Sequence, residues 1–99
     1  MAFDLFLFWY FVVGFLLGNG VPHFAFGAAG KFFRSPFGQR SPPRTNILWG
    51  LSNFVAATVL GALLAALGDY DVYSLPVLLL GFWLTMFMFG TRIKKFLND

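Results

Sequence analysis

Lys31-Phe32-Phe33-Arg34-Ser35-Pro36-Phe37-Gly38-Gln39-Arg40-Ser41-Pro42-Pro43-Arg44 separates two long uncharged stretches and holds four of the seven basic residues of the chain. The other three, Arg92, Lys94 and Lys95, follow a third apolar stretch. Three of the four acids lie where the bases do not: Asp4 precedes the first stretch, and Asp69 and Asp71 separate the second from the third. Lys and Arg beside an apolar span resist translocation and mark the cytoplasmic side. The pattern predicts an all-α membrane protein of three transmembrane helices, with its N-terminus outside and its C-terminus in the cytoplasm.

Composition points the same way. Of 99 residues, 59% are hydrophobic and 11% charged, whereas soluble domains carry about 25% charge. Fifteen Phe are more than a soluble core of this size accommodates, and a bilayer solvates them. One domain, residues 1–99, is expected. The net charge of +3 does not indicate nucleic acid, because the bases sit at span ends, where anionic headgroups attract each by about 1 kcal/mol. The chain has no cysteine, so disulfide and thiolate chemistry are excluded. Asp4 and the absence of a basic leader argue against a cleaved signal peptide.

The spans are expected at about 5–24, 46–68 and 74–91. The first should break near Gly18-Asn19-Gly20-Val21-Pro22, where Gly and Pro remove side-chain packing and a backbone donor. Phe24 to Gly30 would then be an interfacial helix or re-entrant turn. The basic loop 31–44 should lie on headgroups with Phe32, Phe33 and Phe37 inserted, without regular structure past Ser35. Thr45 is the expected N-cap of the second span and Gly68 its stop. The short turn at Asp69 to Tyr73 predicts that spans two and three form a tight antiparallel hairpin.

Polar residues meet at one depth. Counted from Asp4 and Asp69 at about 1.5 Å per residue, Asn19 and Asn53 fall at one level, and His23 falls with Gly50 slightly deeper. Asn46, Gly50, Asn53, Ala57 and Gly61 share a helical face by steps of four and three. Two readings follow. In one, Asn19, His23, Asn46 and Asn53 form an interhelical hydrogen-bond network. In the other, they line a small polar cavity for an ion, solute or headgroup, since intramembrane ionisable residues mark functional sites. His23 is a weak metal candidate because it lacks companion donors. Asp69-x-Asp71 reads as a solvated turn, and no metal or cofactor is expected. Gly14 and Gly18 form a small-xxx-small ridge, as do Ala57, Gly61 and Ala65, and such ridges pack helices within a chain or between copies. Lys31, Arg34, Arg40 and Arg44 are expected at lipid headgroups, anionic ones above all. No nucleophile and base are paired in the pattern, which argues against an enzyme.

Gly18-Asn19-Gly20-Val21-Pro22-His23-Phe24, Ser35-Pro36-Phe37-Gly38 and Asn46-Ile47-Leu48-Trp49-Gly50 together resemble a group of small bacterial multi-pass membrane proteins that carry a Gly-Asn-Gly-x-Pro-His-Phe motif. The resemblance spans roughly residues 10 to 55 and implies the bacterial inner membrane, without an activity. The expected role is therefore that of a self-associating or accessory subunit acting by helix packing, as a homo-oligomer or within a larger membrane complex. The alternatives are a minimal oligomeric transporter or channel through the Asn19/His23/Asn53 level, and an anionic-lipid-binding module.

Overall fold

A computed structural model of the chain describes residues 5–68 and 70–98; Asp4 and Asp69, used above to mark the outer end, lie outside the described residues. Three helices are long and apolar enough to cross a membrane: α1 (Leu5–Ala28), α2 (Pro43–Ala66) and α3 (Ser74–Phe96). Each would extend about 35 Å, enough for a hydrocarbon core of about 30 Å.

The first helix does not break. Pro22 lies inside a continuous α1 and is buried. Proline removes one i→i−4 bond, but neighbouring helices hold such a helix together when it is packed on more than one side. The stop comes later, at Gly30. There φ is +78°, the Gly30 amide donates to the Gly27 carbonyl, and the Lys31 amide donates to Phe26. These two bonds are a Schellman cap, which requires a left-handed residue and favours glycine.

α2 starts three residues earlier than expected. Pro42 occupies the N-cap and Pro43 the first turn, where a missing amide hydrogen costs nothing and φ is preset; Thr45 is already helical. Gly68 stops it as anticipated, with φ +78° and its amide on the Ala65 carbonyl. α3 extends five residues past the expected Thr91 and includes Arg92, Lys94 and Lys95. Lys94 and Lys95 in the last turn complement the negative end of the helix dipole.

Loop 31–44 is not irregular. β1 (Phe32–Ser35) and β2 (Gly38–Ser41) form an antiparallel hairpin, and β3 (Leu97–Asn98) pairs antiparallel with the other edge of β1. The fold is thus three helices with a small sheet capping one end, rather than purely helical. Ser35 and Ser41 hold the hairpin. Ser41 Oγ donates to the Gly38 carbonyl at 2.8 Å, the two hydroxyls bond at 2.6 Å, and Ser35 Oγ accepts from the Phe37 amide.

α1 is the middle helix. It packs against both α2 and α3, which scarcely touch each other. The expected tight pairing of spans two and three therefore does not occur. Their connecting turn instead passes the start of α1, with the Tyr70 ring edge-on to Tyr10 at 6.1 Å. Glycines on two sides of α1 explain this order. Gly14 meets the backbone at Leu78 and Gly18 meets Thr85, while Gly81 of α3 lies against the Phe11 carbonyl. On the other side Gly20 faces Gly50, and Gly27 faces Pro43 and Ile47. These pairs make α1 and α3 parallel and α2 antiparallel to both. Close backbone approach of this kind substitutes for the hydrophobic drive that is missing between helices in lipid.

Gly14→Val should therefore destabilise the fold by about 3 kcal/mol, the upper part of the usual overpacking range. Gly90→Val should leave stability nearly unchanged, because nothing lies within 4 Å of a Cβ there. Thermal unfolding of the two variants in detergent measures the difference.

Candidate functional site

Two polar tiers lie in the seam between α1 and α2. In the upper tier, Asn19 Nδ2 donates to Asn53 Oδ1 at 3.0 Å, and Asn53 Nδ2 donates to the Trp49 carbonyl at 2.9 Å. Between the tiers the helices nearly touch: a Cβ on Gly50 would fall 2.7 Å from the Phe24 amide nitrogen. That contact leaves no space for an imidazole level with Gly50. His23 reaches one turn further, where its Nδ1 lies 2.8 Å from Asn46 Oδ1.

Asn46 fixes the lower tier. It is fully buried, and its Nδ2 faces the carbonyls of Phe33 at 2.9 Å, Ser41 at 3.1 Å and Pro42 at 3.3 Å. Carbonyls only accept, so the amide nitrogen must point toward them and Oδ1 toward His23. His23 Nδ1 must then carry the hydrogen and donate it. This tautomer is assigned from the hydrogen-bond network, and it leaves Nε2 as the ring nitrogen available to another group. The imidazole is held edge-on by Phe33 and Phe89, at 5.2 and 5.6 Å.

Phe33, expected among headgroups, has no exposed surface. It stacks on Phe26 at 5.0 Å and meets the edge of Phe96 at 5.8 Å. The alternation of β1 turns it inward and Arg34 outward. Phe32 is half-buried beneath Arg40, whose guanidinium lies 3.8 Å from the ring centroid. Phe37 is exposed and packs edge-on against Trp49. Lys31 is half-buried, and Arg34, Arg40 and Arg44 are exposed. Of the ridge residues, Gly14 and Gly18 are buried against α3. Ala57 is buried with Tyr10, Val13 and Leu64. Gly61 is half-buried near Val13, and Ala65 is exposed.

Beside the tiers, under the hairpin, is a cavity of about 510 Å³. Asn19, His23 and Trp49 line it from the helices, Arg34 from β1, and Arg92 and Lys95 from the end of α3. None of its lining residues is acidic. Three cations around one opening can hold an anion. Sequence reasoning named Asn19, His23 and Arg34 as candidates but not Trp49, Arg92 or Lys95. The i, i+3 spacing of Arg92 and Lys95 on one helical face was the available signal. Among the described residues, no group of His, Cys, Asp and Glu is suited to a metal ion. Comparison with protein families, curated proteins and solved structures finds no match for this chain.

The two tiers should differ in weight. Asn46→Leu leaves His23 Nδ1 without its acceptor and takes the amide from the Phe33 and Ser41 carbonyls, while the Pro42 carbonyl keeps the backbone amide of residue 46; each buried unsatisfied group costs about 1–3 kcal/mol. Asn53→Leu removes a single interhelical bond of about 0.6 kcal/mol. Unfolding of the two variants in detergent should rank Asn46→Leu as clearly the more damaging, and equal losses would contradict the assignment.

Proposed function

We propose that this chain is a three-pass protein of a bacterial cytoplasmic membrane, N-terminus outside and C-terminus inside, that acts by packing and binding in the bilayer as a self-associating or accessory subunit. One observation carries this reading. Pairing of β3 with β1 brings the basic hairpin and the basic end of α3 together, so all seven Lys and Arg gather at one end of three apolar helices. The likeness of the Gly18 to Phe24 string to small bacterial membrane proteins supports the choice of membrane. Exposed rings and aliphatic chains along α2 and α3, among them Leu51, Val55, Leu63, Leu80, Trp83 and Phe87, suit hydrocarbon.

Binding, and neither catalysis nor permeation, is the role that fits the polar residues. Asn19, His23, Asn46 and Asn53 are committed to each other across the seam, which favours a fixed structure over a conducting path. Among the described residues α1 is the one helix on which α2 and α3 pack extensively, so much of their circumference away from the sheet is available to lipid or to other helices. Exposed Ala62, Ala65 and Ala66 would admit a second helix at short range.

The chain has no native cysteine, so single cysteines report topology cleanly. Gln39→Cys and Lys95→Cys should both be protected from a membrane-impermeant maleimide in intact cells, while Val72→Cys should react. Opposite behaviour of the first two would refute the shared basic face. For self-association, Ala65→Leu should reduce oligomer size in detergent while helix content stays constant. A parent protein that is monomeric at every concentration would rule it out.

A further inference from the structure

The cavity beneath the hairpin adjoins a second space. An apolar cleft of about 130 Å³ between α1 and α3 shares Asn19, Phe89, Arg92 and Phe96 with it and adds Phe15, Thr85 and Met88. A cationic cavity and an apolar slot thus share one wall. Two of the three cations are held in place. The Arg34 guanidinium lies over the Phe96 ring at 5.3 Å, and Arg92 Nη1 donates to the Met88 carbonyl at 3.2 Å and to Thr91 Oγ1 at 3.3 Å. They come from β1 and α3, which the β1–β3 pairing and the packing of Phe33 on Phe89 and Phe96 bring together. Trp49, in the cavity wall, carries a buried indole N–H with no hydrogen-bond partner among the described residues.

We propose that this double cavity is a binding site for a phosphate-bearing lipid: the phosphate lies among Arg34, Arg92 and Lys95, and an acyl chain leaves along the cleft beside Phe15 and Met88. The charge complementarity is one-sided, with three cations and no carboxylate among the lining residues. Guanidinium forks bind phosphate oxygens in pairs. The adjoining cleft is what selects a lipid over a free anion, because a soluble phosphate has no use for an apolar exit. The assignment rests on the membrane reading above, which places this end at the cytoplasmic leaflet.

The test is native mass spectrometry of the full chain, delipidated in detergent and then offered phosphatidylglycerol or phosphatidylcholine of identical chains, with inorganic phosphate as competitor. Phosphatidylglycerol should be retained preferentially, and Arg34→Gln with Arg92→Gln should weaken retention by about tenfold or more, since each base near an anionic headgroup is worth about fivefold. Lys95→Gln alone, at an exposed head, should weaken it several-fold with circular dichroism unchanged. Met88→Trp, which fills the cleft, should lower lipid retention and leave any phosphate binding intact. Arg44→Gln with Lys94→Gln removes equal charge outside the cavity and should have little effect. An equal loss in that control would overturn the site in favour of diffuse attraction. Lipid retention that is unchanged by Met88→Trp and abolished by inorganic phosphate would overturn the lipid assignment in favour of a free anion. A chain that floats with vesicles but shows no lipid preference refutes the site alone; a chain that does not float refutes the membrane reading as well.

Discussion

The Asn46 side chain is the point on which the architecture closes. One amide group ties α2 to β1 through Phe33, to β2 through Ser41, to its own N-terminus through Pro42, and to α1 through His23. Every polar atom of the side chain has a partner, and the site is sealed from solvent. Inside a low-dielectric structure such a fully satisfied network specifies one arrangement, because any other leaves buried groups unpaired. The hairpin has no hydrophobic core of its own and two strands alone are marginal. Its position over the helices follows from Asn46 on one side and from Phe33 on the other, seated among Phe26, His23, Phe89 and Phe96.

α1 carries the rest. With Gly14 and Gly18 turned to α3 and Gly20 and Gly27 turned to α2, it is the only helix that contacts both others extensively. This also explains why a buried proline is tolerated. A helix supported along two sides keeps its path across Pro22, whereas an isolated span would bend there. The bonded tiers and the glycine contacts alternate along the same seam, so register is set by polar pairs and distance by missing side chains.

Much of this was legible from the residues. Three apolar runs bounded by charge gave the helices, Gly68 gave the end of α2, and the steps of four and three picked out the buried face of Asn46, Gly50, Asn53 and Ala57. The meeting of Asn19 with Asn53 followed from counting residues by depth. What was hidden depends on partners distant in sequence. Pro22 reads as a break until the packing on both sides of α1 is known. The segment 31–44 lacks a clean two-residue alternation, and its strands are fixed by Asn46, by a hydroxyl pair and by β3, none visible as a local pattern. His23 was placed level with Gly50 because depth arithmetic ignores contact distance; the glycine approach shifts the ring to Asn46. The separation of α2 from α3 was missed because a short connecting turn suggests neighbours, while the glycines of α1 decide otherwise.

The β1–β3 pairing has a temporal side. β3 is translated only after α2 and α3, so when the hairpin first leaves the ribosome one edge of β1 has no strand to bond. In the three-pass reading proposed above, the cap can close only once the last helix has inserted in the correct direction and returned its end to the same side. On that reading a misinserted α3 would leave that edge open and β3 on the wrong side of the bilayer, and completion of the sheet would require all three passes in the right sense.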